Sequence, residues 1–116
     1  MVSRIFYKSV SVICESDDLR KDFILDYYLL EKDVKIEGFS VNTYGIEISK
    51  REKKSEKQNF CEYRRVYDIF CTKDKALETL ESLVRNTVTP VSLLDVLEDL
   101  IGVGELVNEE RLVRVV

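Results

Sequence analysis

The chain has 116 residues, 45% of them hydrophobic and 34% charged, with one proline, four glycines and neither histidine nor tryptophan. That is globular composition, and at this length about two-thirds of the unfolded surface becomes buried, enough for one core and one domain spanning residues 1–116. The formal net charge of −4 lies wholly in residues 72–116, because residues 1–71 carry equal numbers of basic and acidic side chains.

The amino terminus runs from Met1-Val2-Ser3-Arg4-Ile5 straight into a strand pattern, with no cleavable apolar segment. Ile5–Cys14 alternates, with Val10, Val12 and Cys14 on one side and Ser9 and Ser11 on the other. Glu15-Ser16-Asp17-Asp18 reads as a turn. Phe23, Leu25, Tyr27 and Leu29 then alternate against Asp22, Asp26 and Glu31 as a second half-buried strand, with Lys32-Asp33 as the turn that follows. A third extended stretch, Val34–Lys50, places Val34 and Ile36 on one face and Phe39 and Val41 on the other, then returns with Tyr44, Ile46 and Ile48. The change of phase predicts a bulge or bend near Gly38 or Gly45.

The segment Lys50–Asn59 has no apolar side chain and reads as an exposed hairpin tip. Strand four, Phe60–Cys71, is expected to turn Tyr63, Tyr67, Ile69 and Cys71 inward and Glu62, Arg64 and Asp68 outward, with Phe60, Val66 and Phe70 partly covered on the second face. At Thr72 the period changes to that of a helix. Thr72 is the expected N-cap, Asp74 sits in the first turn, and Ala76/Leu77, Leu80 and Leu83/Val84 form the apolar stripe as far as Arg85-Asn86. Thr89 caps a second helix with Pro90 at its first position; Leu93/Leu94, Leu97 and Leu100/Ile101 face inward, and Gly102 stops it. Residues 103–116 read as a small hairpin, turning at Asn108-Glu109-Glu110, or as a tail. Strands followed by helices predict an α+β fold, an antiparallel sheet of about four strands followed by two helices packed on one face.

Cys14, Cys61 and Cys71 are odd in number and lack paired spacing, so they are expected as reduced, buried, small apolar residues of a cytoplasmic protein. Cys61 and Cys71, ten residues apart on one strand, would stand about 33 Å apart. Without histidine there is no Ser-His or Cys-His pair and no imidazole for zinc. Gly102-Val103-Gly104 follows a helix, the wrong order for a phosphate loop.

Two surface clusters are the candidates for contact with a partner. Asp95, Glu98 and Asp99 share one helix face by their spacing of three and four. Lys53, Lys54 and Lys57 belong to the Lys50–Lys57 loop, net charge +3, followed by Arg64 and Arg65. The expected function is that of a non-catalytic cytoplasmic protein-interaction or regulatory module, homodimeric or bound to another protein, with no cofactor, metal or membrane. One alternative is weak nucleic-acid contact through the basic 50–65 hairpin. It is disfavoured by the acidic second helix, which carries no Lys or Arg between Pro90 and Ile101 and makes a poor recognition helix of a winged helix-turn-helix. A further alternative is a small carboxylate-dependent enzyme or metal site using Asp95, Glu98 and Asp99.

Asn42-Thr43-Tyr44-Gly45-Ile46-Glu47-Ile48 and Thr89–Leu100 together resemble a family of short uncharacterised proteins, mainly from spore-forming Gram-positive anaerobes. Its members pair a Tyr-Gly-Ile/Val strand with a C-terminal Pro-x-His-Leu-x-Asp-Val-x-Glu-Asp helix. Tyr44, Gly45, Pro90, Leu93, Asp95, Val96, Glu98 and Asp99 match this pattern, and Ser92 stands in place of the histidine. The resemblance spans about residues 23–101. It implies the α+β fold and a cytoplasmic placement, and no activity.

Overall fold

Alternation of apolar and polar residues dominates the first half of the chain, and it folds into long meandering strands. The structure, a computed structural model, describes residues 2–16, 19–52, 60–101 and 108–115, with side chains at 2–13, 22–52 and 62–101. Strands β1 (Val2–Ser16), β2 (Leu19–Ile36), β3 (Phe39–Glu52) and β4 (Phe60–Phe70) are followed by helices α1 (Lys73–Arg85) and α2 (Leu93–Ile101), then by strand β5 (Asn108–Val115). All neighbours pair antiparallel, in the order β1-β2-β3-β4-β5. The expected α+β architecture is therefore present, with one more strand. Residues 108–115 form one strand beside β4, so the turn expected at Asn108-Glu109-Glu110 is absent there; the rest of the 103–116 segment lies outside the described residues.

Register assigns the two faces of the sheet. On one, Leu25, Tyr27 and Leu29 of β2, Ile46 and Ile48 of β3, and Val66 and Phe70 of β4 bury against Ala76, Leu80 and Leu83 of α1 and Leu93 and Leu97 of α2. Val10 and Val12 pack at its margin. The Tyr27 hydroxyl is fully buried here and donates to the Val88 carbonyl at 2.9 Å, tying the sheet to the interhelical link. The Thr72 side chain accepts from the Lys75 amide at 3.3 Å as the N-cap of α1, and Asn86 closes that helix. Pro90 lies in a turn ahead of α2, whose regular helix begins at Leu93. Leu100, in the last turn of α2, is 49% exposed and not inward as its spacing suggested, while Ile101 beside it packs against the core.

Three further expectations are corrected. Lys32-Asp33 is not a turn: both residues lie inside β2, paired with Thr43 and Asn42. The reversal is at Glu37-Gly38, both left-handed at φ 50° and 86°, as in a type I′ hairpin. Since Ile36 faces Phe39 and Val34 faces Val41 across that turn, all four side chains share one face. The apparent switch of face was the chain doubling back.

Strand four departs from the expected phase except at Ile69, which packs against the core as expected. Val66 and Phe70 meet the helices, while Tyr63 lies on the opposite face beside Ser49. A bulge explains the mixed pattern: Tyr44 pairs Phe70 and Ile46 pairs Val66, so Tyr67, Asp68 and Ile69 stand opposite Gly45 alone. Asp68 takes φ 55°, and its carboxylate is held by Thr43 at 2.6 Å and Lys32 at 3.2 Å. A Cβ on Gly45 would collide with the Val66 carbonyl oxygen and lie 2.9 Å from Tyr67 Cα. Cys71, just past β4, is exposed and not buried; the side chains of Cys14 and Cys61 lie outside the described residues.

Candidate functional site

The face of the sheet turned away from the helices carries the polar partners of the core residues. Between Ile46 and Ile48, which point into the core, Glu47 points out; its cross-strand neighbours are Tyr28 of β2 and Arg65 of β4. Outward does not mean solvated here. Glu47 is only 1% exposed, because long side chains from three strands close over it. Arg4 of β1 reaches it in a two-pronged pair, Nε to Oε1 at 2.8 Å and Nη2 to Oε2 at 2.9 Å. Arg65 Nε donates to Oε1 at 2.9 Å, and the Ser49 hydroxyl donates to Oε2 at 3.1 Å.

A second carboxylate sits one step along the strands. Asp26, 7% exposed, accepts from Arg51 Nε at 2.9 Å and from the Ser9 hydroxyl. Aromatic rings complete the surface: the Arg4 guanidinium lies 3.7 Å above the Tyr28 ring, and that of Arg65 lies 4.6 Å from the Tyr63 ring. Phe6 meets Tyr28 edge-on at 5.6 Å. Together Arg4, Asp26, Tyr28, Glu47, Ser49, Arg51, Tyr63 and Arg65 line a cavity of ≈ 330 Å³ open to one side.

Electrostatics fix the protonation states. Burial pushes the Glu47 carboxyl up, but hydrogen bonds from Arg4 and Arg65, and their charges, outweigh it and hold the group below its ordinary range. Glu47 in turn raises both guanidiniums, against the burial of each. Three cations and two anions leave this surface at +1. Its lowered pKa keeps Glu47 in the carboxylate form near neutral pH.

The residues singled out from sequence lie elsewhere. Asp95, Glu98 and Asp99 are exposed on α2, and none lines either this cavity or a shallower recess of ≈ 230 Å³ between α1 and the end of α2. Among the described residues, no group of three Cys, Asp or Glu side chains could hold a metal ion. Lys53, Lys54 and Lys57 lie outside the described residues. Arg64 and Arg65 do not form one basic patch, since neighbours on a strand point to opposite faces and Arg65 is bound to Glu47. The arginines that do share a face, Arg4, Arg51 and Arg65, come from three strands far apart in sequence. Alternation flags Glu47 as outward, but only the register reveals what covers it.

Residues 8–103 match a family of unknown function, DUF6514. The chain belongs to DUF6514. No curated protein and no solved structure matches it. The DUF6514 span takes in most of β1, strands β2 to β4 and both helices, and with them Asp26, Glu47, Arg51 and Arg65. Arg4 and strand β5 fall outside it. Among the described residues of this DUF6514 chain, no helix is long and apolar enough to cross a membrane.

Proposed function

We propose that the chain is a non-catalytic protein-interaction module whose partner is a second copy of itself. The observation that carries this reading is where the apolar surface lies. Of nine exposed large hydrophobic residues among the described ones, six share the open face: Val2, Phe6 and Ile13 on β1, and Ile36, Phe39 and Val41 near the β2–β3 turn. Among the described residues, 33–42 pair only with each other, past the last pairs with β1 (Val2 with Lys32) and β4 (Tyr44 with Phe70). They form a two-stranded arm, apolar on one face, with Phe39 73% exposed. A bare two-stranded ribbon is marginal in water, and such a face is normally covered.

Both halves of a contact are present on one chain. The arm of one copy can lie over Val2 and Phe6 of the other, and a two-fold axis repeats the contact. Taking about 150–250 Å² for an exposed aromatic residue and somewhat less for an aliphatic one, two arms and two seats remove about 1,000 Å², the lower bound for a specific interface. The dimer is thus expected to be of about micromolar affinity. The outer edge of β1 carries Arg4, Lys8 and a bulge at Tyr7, devices that discourage open-ended strand addition. The exposed thiol of Cys71 and the resemblance to cytoplasmic proteins of spore-forming bacteria support a reducing, intracellular setting.

Size-exclusion chromatography with light scattering on the chain and on an Ile36→Ser/Phe39→Ser variant tests the proposal. The expected result is a mass approaching twice 13.6 kDa for the parent at about 100 µM, and a single chain mass for the variant with unchanged circular dichroism. A parent that stays at the single chain mass overturns it.

A further inference from the structure

A cation stands in the middle of the apolar seat on β1. Val2, Arg4 and Phe6 are alternate residues of one strand, so their side chains form a row on the open face with Arg4 between the two apolar ones. The Arg4 side chain is 46% exposed, yet its charge is already met, because Nε and Nη2 both donate to Glu47 along one edge of the guanidinium. One flat face of that group is covered as well: it lies over the Tyr28 ring, 3.7 Å from the centroid, and Phe6 braces Tyr28 edge-on at 5.6 Å. The opposite flat face is what the seat offers to an incoming arm. On the arm, Phe39 is the one aromatic residue within 33–42, and at 73% it is the most exposed large hydrophobic residue among those described.

We infer that Phe39 of one copy stacks on the outer face of the Arg4 guanidinium of the other, so that the arginine is held between Phe39 and Tyr28. This contact rests on the self-association reading and names the pair of residues that makes it selective. An arm laid over Val2 and Phe6 has to cross Arg4, and covering a charged group with apolar atoms alone costs its hydration without compensation. A guanidinium ion-paired along its edge accepts an aromatic cover, because its planar face is weakly hydrated and is attracted to the face of the ring. Ile36 and Val41 add apolar area but have no such face. The pair with Glu47 fixes the guanidinium before contact, which leaves little side-chain freedom to be lost on binding. The seat therefore favours an aromatic arm over an aliphatic one, and a second copy of this chain carries it.

Dissociation constants of the parent, Phe39→Leu, Arg4→Lys and the double variant, from light scattering over a dilution series, form a double-mutant cycle. Leucine keeps an apolar side chain and lysine keeps the charge, so the cycle isolates the stacking. Phe39→Leu is expected to weaken association about tenfold in the parent, where a two-fold dimer holds the contact twice, and less than about threefold in the Arg4→Lys background. In a mixture of isotope-labelled and unlabelled parent at about 300 µM, well above the expected dissociation constant, filtered nuclear Overhauser spectra should connect the Phe39 ring protons of one copy with the Arg4 δ protons of the other. That readout stands if Arg4→Lys fails to fold. A dimer in which Phe39→Leu costs the same in both backgrounds, or which lacks the Phe39–Arg4 signal, overturns the stacking and leaves self-association standing. A parent that stays at the single chain mass overturns both.

Discussion

Replacing Glu47 tests the open face most sharply. Glu47→Gln keeps the size of the side chain but removes the charge that Arg4 and Arg65 share, and sets an amide N–H₂ against at least one of their donors. Removing one member of a buried ion pair costs about 3–5 kcal/mol. Here the lower end applies, because the arginine side chains are 46% and 26% exposed and regain water when released. A loss of about 3 kcal/mol corresponds to a drop of about 12 °C in Tm for a domain of this size. The carboxyl's lowered pKa adds a signature in pH. Its stabilisation is present above the unfolded-state value near 4.5 and is lost as pH falls through the folded one. Urea midpoints measured between about pH 7 and pH 3 should therefore fall more steeply for the parent than for Glu47→Gln, and the two should converge in acid. A cost below about 1 kcal/mol at pH 7, or parallel pH profiles, would refute the reasoning that the carboxylate holds this face together.

Other consequences follow from the core and the turns. Gly45→Ala drives a methyl into the bulge of β4 and should destabilise by about 1–3 kcal/mol, read as a lower urea midpoint with unchanged slope. Tyr27→Phe leaves the Val88 carbonyl without its donor and should cost about 1–3 kcal/mol by the same assay. Burial raises the Tyr27 phenol to about 12, so its contribution is complete below pH 10 and is lost as pH rises towards 12. In an ultraviolet titration Tyr27 should ionise well above the ordinary tyrosine range, a step absent from Tyr27→Phe. Thr72→Ala removes the cap of α1 and should cost about 1 kcal/mol in thermal melts.

Much of the fold was legible because its signals are local. Period-two patterning marks Leu25, Tyr27, Leu29, Ile46 and Ile48, and the change of period at Thr72, with its cap, marks α1. The missed turn had a physical cause. Type I′ turns favour Asn or Asp before Gly, so Glu37-Gly38 gives a weak signal, while the polar Lys32-Asp33 imitates a turn inside a continuous strand. In β4, Tyr67, Asp68 and Ile69 opposite Gly45 break the alternation, and counting in twos from Phe70 and Cys71 then assigns the wrong faces. The open-face cluster was out of reach for another reason. Arg4, Glu47 and Arg65 meet only through the register of three strand pairs, and none belongs to a charge run. Of the conspicuous runs, the carboxylates of Asp95–Asp99 lie exposed on α2, and Lys50–Lys57 contributes Arg51, which reaches Asp26, while Lys53, Lys54 and Lys57 lie outside the described residues.

The central claim, that the arm of one copy is covered by β1 of another, is tested most directly by hydrogen–deuterium exchange at two protein concentrations, about 0.05 µM and about 300 µM, which bracket the expected dissociation constant. Slower exchange at the higher concentration, confined to residues 33–42 and 2–6, is the predicted result. Exchange that is the same at both concentrations, or protection that falls on the exposed face of α2 instead, would contradict it.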